Sequence, residues 1–312
     1  MNSKPIHVSL AGGLGNQLFQ IAAALSLTEG KIIVHDFLGN ARKDSNNVVE
    51  VKNFNLPSRI EFASKIPISK FGVRILNLMY KTSVRPQDLT SRLSNLTIFN
   101  AFKNLYFSQL IGVPIRVVQA YDTGFFEMKI LNETSLLVGY FQSSYWAAKS
   151  NSNLELRKIS LRGNDIQQVL RDKPSNKVLA LHIRLGDYSK EPKIGMLTDC
   201  YFVSAIEIVE NVKFIDEIWM FSDEPEIAKQ YIPHKWYPIL KVIPDMGAAK
   251  TLELMREADY YVISNSTFSW WGAFLSKSKE SYILAPSPWF KSMESPRDII
   301  PTDWITLKSS FK

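Results

Sequence analysis

Short apolar runs alternate with amphipathic stretches along this chain, and their order predicts an α/β protein. Ile6–Leu10 is an apolar run that ends in Ala11-Gly12-Gly13-Leu14-Gly15, Gln17–Leu27 has the Ala- and Leu-rich character of a helix, and Lys31–His35 is a β-branched stretch closed by Asp36. A strand, a glycine turn, a helix and a second strand in that order form the opening of a βαβ unit. Pro67–Leu110 has helical spacing; Leu136–Phe141 predicts a strand, with a helix starting at Ser143-Ser144; Ile159–Val169 predicts a helix and Arg171–Asn176, with Pro174, a linker. Beyond it the rhythm is regular. Strands are predicted at Lys177–Ile183, Glu217–Phe221, Ile239–Ile243, Tyr260–Ile263 and Tyr282–Ala285, with helices at Asp199–Val209, Glu224–Gln230, Ala248–Glu257 and Thr267–Ser276 between them. Continuous apolar strands separated by helices of about ten residues point to a parallel, doubly wound sheet. The expected architecture is two α/β domains, residues 1–173 and 174–312, with a cleft between them.

Composition narrows the class. A hydrophobic share of 46% and a charged share of 21% in 312 residues exclude a disordered or fibrous chain. The net charge is +7, yet no run of five or more basic residues stands out, so no nucleic-acid partner is expected; the spread charge leaves room for peripheral contact with the inner face of a membrane. The one cysteine, Cys200, cannot form an internal disulfide, which fits a reducing compartment, and it reads as a core residue. The amino terminus lacks a signal-peptide apolar stretch, and no apolar run reaches the roughly 18–20 residues of a membrane span, so a cytoplasmic location is expected.

In open α/β sheets ligands bind outside the carboxyl ends of the strands, so the strand exits carry the candidate chemistry. The first exit holds Gly13, Gly15 and Asn16, where missing Cβ atoms and the free N–H groups of the next helix suit a phosphate or a polar hydroxyl. Gly13, Gly15 and Asp36 also fit part of a dinucleotide fingerprint, although Leu18 occupies the third glycine position. The second exit, His182-Ile183-Arg184-Leu185-Gly186-Asp187-Tyr188, is the richest. Arg184 offers a permanently charged fork for a diphosphate, which stabilises negative charge as a glycosidic bond breaks. Asp187 can orient Arg184 or accept a proton from an acceptor hydroxyl, with Glu191 a weaker candidate base. The third exit, Ser222-Asp223-Glu224, suits a guanine edge or a helix cap. The fourth, Ser264-Asn265-Ser266-Thr267-Phe268-Ser269-Trp270-Trp271, gathers small polar residues into a natural phosphate cradle. Trp270 and Trp271 are about 100° apart on a helix, so one is expected in the core and the other lining the cleft. No Asp-x-Asp pair or His/Cys cluster at metal-ligand spacing is present, so no metal or other cofactor is expected.

The series Gly12–Gln20, Gly139-Tyr140-Phe141-Gln142-Ser143, His182–Tyr188, Ser222–Glu224 and Ser264–Trp271 resembles, in order and over nearly the whole chain, glycosyltransferase family 11, the bacterial-type α-1,2-fucosyltransferases. The resemblance implies a GT-B-like fold of two Rossmann-like domains facing a cleft, an amino-terminal acceptor side and a carboxy-terminal donor side. It also implies a GDP-L-fucose donor, a glycan acceptor, inversion at the fucose carbon and no metal. Carried over, Arg184 binds the donor diphosphate and His182 supports that site. Asp223 meets guanine or ribose, Ser266 and Thr267 contact phosphate, and Asn16 faces the sugar and acceptor. Many relatives carry a second Arg where this chain has Leu185, which leaves one guanidinium or calls on a lysine elsewhere. The activity implied is transfer to the 2-hydroxyl of a galactoside in surface polysaccharide synthesis. A transferase using another GDP-hexose, a nicotinamide-dependent oxidoreductase and a catalytically silent sugar-nucleotide or glycan binder are the competing readings.

Overall fold

The computed structural model describes residues 4–35, 48–63, 115–119, 125, 134–149, 155–161 and 177–312. Among them the chain divides into two compact units: Met1–Lys52, Leu56–Ile159 and Pro296–Ile299 form the first, and Asn53–Asn55, Ser160–Ser295 and Ile300–Lys312 the second. The expected boundary near residue 174, the linker at 171–176 and the helical stretch at 67–110 lie outside the described residues, as does Asp36. Pro296–Ile299, expected in the carboxy-terminal domain, belongs to the first unit, where Asp298 accepts from Ser144 N through its carbonyl and from Phe125 N through Oδ2.

The first unit holds β1 (Ile6–Ser9), α1 (Leu14–Leu27), β2 (Ile32–His35), β3 (Ile60–Ala63), β4 (Ile115–Gln119), β5 (Thr134–Val138) and α2 (Ser144–Ala148). Its sheet runs β3-β2-β1-β5-β4 with all pairs parallel. α1 is buried along nearly its whole length, which marks an internal helix rather than a surface one. α2 is capped by Ser143, whose Oγ accepts from Tyr145 N, at the predicted start.

The second unit holds β6 (Val178–Ile183), α3 (Asp199–Val212), β7 (Glu217–Ser222), α4 (Pro225–Lys229), β8 (Leu240–Val242), α5 (Ala248–Met255), β9 (Tyr260–Val262), α6 (Thr267–Phe274), β10 (Tyr282–Ser287) and β11 (Ile305–Lys308). Its parallel sheet runs β11-β10-β9-β6-β7-β8. Counted from β6 as the first strand, this is the 3-2-1-4-5-6 order of a dinucleotide-type fold, whose strand sequence reverses between β6 and β9. Every residue of β6 is buried, as a central parallel strand requires. Leu179, Leu181 and Ile183 join Ile218, Met220, Val262 and Leu284 in one core with the α3 stripe Tyr201, Phe202, Ala205, Ile206 and Val209.

Four expectations change. Cys200 is exposed, because the buried stripe of α3 starts at the next residue and leaves position 200 on the solvent face. Trp270 and Trp271 are both fully buried; Trp270 packs against Phe274 and Trp304, and Trp271 against Trp270 and Phe274, so neither ring is left to line a ligand site. Ile159–Leu161 is not helical: Leu161 makes an antiparallel bridge to Phe54, and the rest of that expected helix lies outside the described residues. β3, β4 and β11 are additional to the predicted strands; each is a four- or five-residue strand at a sheet edge, too short for its apolar pattern to stand out. No helix among the described residues is long and apolar enough to cross a membrane.

Candidate active site

Each unit places its motifs where its own strand order reverses. In the second unit the exits of β6 and β9 flank that point, and they are joined directly: His182 Nδ1 lies 2.7 Å from Ser264 Oγ. His182 is buried. Burial first, and the nearby Arg184 charge second, pull its pKa down to about 3, so the ring is neutral at pH 7 and contributes hydrogen bonding instead of charge. A second tie runs from Tyr188, whose hydroxyl donates to the Asn265 carbonyl at 3.1 Å. Burial raises the pKa of this phenol to about 12 against the opposing Arg184 charge, so it remains a donor.

Arg184 stands between these ties, immediately past the end of β6. Its Nε and Nη2 donate to Asp187 Oδ1 at 3.1 and 2.8 Å, its Nη1 pairs with Asp223 Oδ2 at 3.3 Å, and its Cζ lies 5.6 Å from the centre of the Tyr188 ring. Burial works against the charge, but Asp223 and then Asp187 outweigh it and hold the guanidinium above its ordinary value. The side chain keeps 32% exposure. Those contacts leave at least two of the five guanidinium N–H donors for an outside anion. Asp187 is 64% exposed, and its second oxygen makes no hydrogen bond among the described residues. Leu185 is buried in the hydrophobic core; a charge there would be desolvated without a partner, which accounts for an apolar residue at this position.

The remaining donor-site candidates are turned largely inward. Ser264, Asn265 and Ser266 are all buried. Asn265 Nδ2 donates to the carbonyls of Ile194 and Gly195 at 3.3 and 3.1 Å, pinning the loop before α3. Ser266 caps α6 by accepting from Phe268 N at 3.3 Å. Thr267, the first residue of α6, is the member of this cluster that reaches solvent. Ser222 accepts from Glu224 N at 3.1 Å, closing the turn after β7.

The first unit repeats the device between β1 and β5. Gln20 accepts from Ala11 N and donates to the Gly139 carbonyl at 2.8 Å. Gln142 Nε2 donates to Asn16 Oδ1 at 2.9 Å. Gln17 donates to the carbonyls of Gly12 and Val48, both at 2.9 Å, and accepts from Val51 N. Gly12 adopts φ +76° with the Asn16 side chain folded beneath it, a conformation and a closeness that favour glycine. Gly13 and Gly15 lie beside it, at the N-cap and in the first turn of α1. Sequence reasoning does not reveal the structural work of Gln17, Gln20, Gln142 and Tyr188: their amide and phenol contacts span up to 126 residues, and only their presence inside the motifs hints at it.

Two parallel α/β units, one of them in dinucleotide order with Arg184 at its switch point, define a fold of the GT-B type. The chain belongs to Glycosyl transferase family 11, whose profile matches residues 5–308, and it is a glycosyltransferase. Among curated proteins it is 25% identical over 315 residues to an alpha-1,2-colitosyltransferase of Escherichia coli, covering 96% of this chain and 97% of that one. It is 26% identical to the O-antigen biosynthesis glycosyltransferase WbnK of the same organism, covering 96% and 99%. Among solved structures the fucosyltransferase NodZ from Bradyrhizobium aligns with a TM-score of 0.53 at 12% identity, covering 88% of this chain and 94% of that one. NodZ alpha-1,6-fucosyltransferase soaked with GDP-fucose aligns with a TM-score of 0.54 at 11% identity, covering 88% and 93%. These likenesses confirm the GT-B-type fold of two parallel-sheet units.

Proposed function

We propose that this enzyme transfers a 6-deoxyhexose from a GDP carrier to the 2-hydroxyl of a glycan acceptor, with inversion, during synthesis of a surface polysaccharide. L-fucose and its 3-deoxy relative colitose are the donor sugars, and a β-galactoside is the first acceptor candidate. One observation carries the reading: Arg184 is held between Asp187 and Asp223 at the β6–β9 switch point with N–H groups to spare. A fixed guanidinium there would receive the charge that develops on the diphosphate as the bond to the sugar breaks. The likeness to an alpha-1,2-colitosyltransferase supports both the linkage and a deoxysugar donor.

In this reading the acceptor oxygen attacks the anomeric carbon from the face opposite the diphosphate. The carbon–oxygen bond to phosphate breaks, its electron pair leaves with GDP, and the acceptor proton passes to a carboxylate. Asp187 is assigned as that base, with its exposed second oxygen. His182 holds Ser264 in place, and Thr267 with the α6 amino terminus and Ser266 lies on the phosphate side. Ser222 and Asn265 shape the donor site. Gly13, Gly15 and Asn16 are assigned to donor binding, with Asn16 facing the sugar and acceptor; residues 1–173 are assigned the acceptor side and residues 174–312 the donor nucleotide. No metal or other cofactor is assigned a part. A net charge of +7 suits peripheral contact with anionic lipid at the cytoplasmic face of a membrane.

The test is a donor screen. The enzyme is incubated with a β-galactoside and, in turn, GDP-L-fucose, GDP-colitose, GDP-mannose and a uridine-diphosphate hexose, and products are read by mass spectrometry and linkage analysis. A deoxyhexose gained at the 2-position from one or both GDP-deoxysugars is expected, unchanged by chelator. Transfer from the uridine donor alone, or strict dependence on added divalent metal, would overturn the proposal.

A further inference from the structure

We infer that Asp223 is a positioning residue that acts through Arg184 and sets where the donor diphosphate can sit, rather than a reader of the donor's base. The inference deepens the proposed function and rests on it for the identity of the anion.

Three contacts converge on this one carboxylate. Oδ1 accepts from Leu185 N at 3.0 Å, which fixes the first peptide of the loop leaving β6. Oδ2 pairs with Arg184 Nη1 at 3.3 Å, which fixes the guanidinium itself. Gly186 completes the arrangement, because a Cβ built there would collide with Asp223 Oδ2. The carboxylate side chain is 24% exposed, and both oxygens point to the β6 exit. Register explains the closeness: Ile183 pairs with Ser222 as the last residue of each strand, so the next residues, Arg184 and Asp223, leave the sheet side by side. Asp223 thus splints the three residues Arg184, Leu185 and Gly186, and a long, flexible side chain is held to one orientation before any anion arrives. Asp187 sits on the same loop three residues along and moves with it; Asp223 comes from a different strand and is the anchor that ties the loop to the sheet.

The variant that tests this is Asp223→Asn. An amide has one acceptor oxygen, so it cannot serve both Leu185 N–H and the guanidinium, while its size and its place after β7 are unchanged. Binding of GDP, inorganic pyrophosphate and guanosine to wild type and variant is measured by calorimetry, beside transfer kinetics and the thermal midpoint. GDP and pyrophosphate are expected to bind at least about tenfold more weakly and kcat/KM to fall about ten- to hundredfold, the scale of a misplaced catalytic group, with guanosine affinity and the midpoint unchanged. A parallel loss for guanosine and GDP would overturn the inference, because it would put the carboxylate on the nucleoside. Gly186→Ala is expected to copy the variant, and in an Asp223→Ala background to add nothing, since the colliding oxygen is gone; full additivity would also overturn it. Should wild type bind no GDP at all, the donor reading fails by itself. A crystal structure of Asp223→Asn then decides the positioning: a displaced guanidinium upholds it, and an unmoved one sinks it.

Discussion

His182 Nδ1 and Ser264 Oγ meet at 2.7 Å inside the protein, joining the tips of β6 and β9 at the place where the strand order turns back. Burial keeps the ring neutral down to a pH of about 3. An exposed histidine in the unfolded chain titrates near its ordinary value of about 6.5. Between these two values the unfolded chain holds a proton that the folded one lacks. Stability should therefore fall as pH falls through this window, by up to about 1.4 kcal/mol per unit, with no such loss above it. His182→Gln should flatten that part of the profile. Urea midpoints from neutral to mildly acidic pH check this, and identical slopes for the two proteins would contradict it.

Arg184→Ala should lower turnover by about 10²-fold or more, as the loss of a charge stabiliser does elsewhere. Arg184→Lys should recover little, because an ammonium cannot keep Asp187 and Asp223 bridged and still face an anion with a planar fork. Single-turnover rates separate this from slower product release. A lysine variant close to wild type would show that charge alone suffices.

Gly12→Ala should disturb the first unit twice. The residue sits at φ +76°, and its new Cβ would lie 2.5 Å from Asn16 Nδ2. A cost of about 1–2 kcal/mol is expected from the backbone alone, with a drop in turnover as Asn16 is displaced from Gln142. Gly13 has φ −71° and nothing within 4 Å of a built Cβ, so Gly13→Ala should leave stability nearly unchanged. Thermal denaturation of the two variants side by side tests the distinction.

Glu253→Ala should destabilise the second unit by about 3 kcal/mol, the scale of removing one partner from a buried ion pair. Glu253 accepts from Arg256 at 2.7 Å, where the arginine side chain is 2% exposed, and from Lys277 at 2.6 Å. These bonds tie the end of α5 to the chain after α6. Denaturant midpoints at constant m-value measure the loss, and a change under about 0.5 kcal/mol would place the pair among neutral ones.

Most of the second unit was legible because its strands are buried on both faces and its helices are amphipathic, two patterns that survive as periodicity in one dimension. β6, with the apolar run Val178–Ile183, and α3, with its Tyr201–Val209 stripe, are of this kind. β11 has the pattern Ile-Thr-Leu-Lys at a sheet edge and carries too little apolar signal to be found. Cys200 was misplaced because a core cysteine is the common case, and one helical step separates it from the buried face. The paired tryptophans were split between core and ligand on angle alone, whereas the rings of Phe274 and Trp304 close around both sides.

The residue types at each strand exit, and hence an anion-handling chemistry built on Arg184, follow from the amino-acid sequence, because a guanidinium's permanent charge and glycine's freedom belong to the residue itself. Which exits come together is another matter. The order β11-β10-β9-β6-β7-β8 sets β6 beside both β7 and β9, and only that placement brings Arg184 to Asp223, His182 to Ser264 and Tyr188 to Asn265 across 39 to 82 positions of chain. Hydrogen bonds of that kind act over about 3 Å and carry no memory of sequence distance, so strand order, and not motif spacing, decides which donors and acceptors meet.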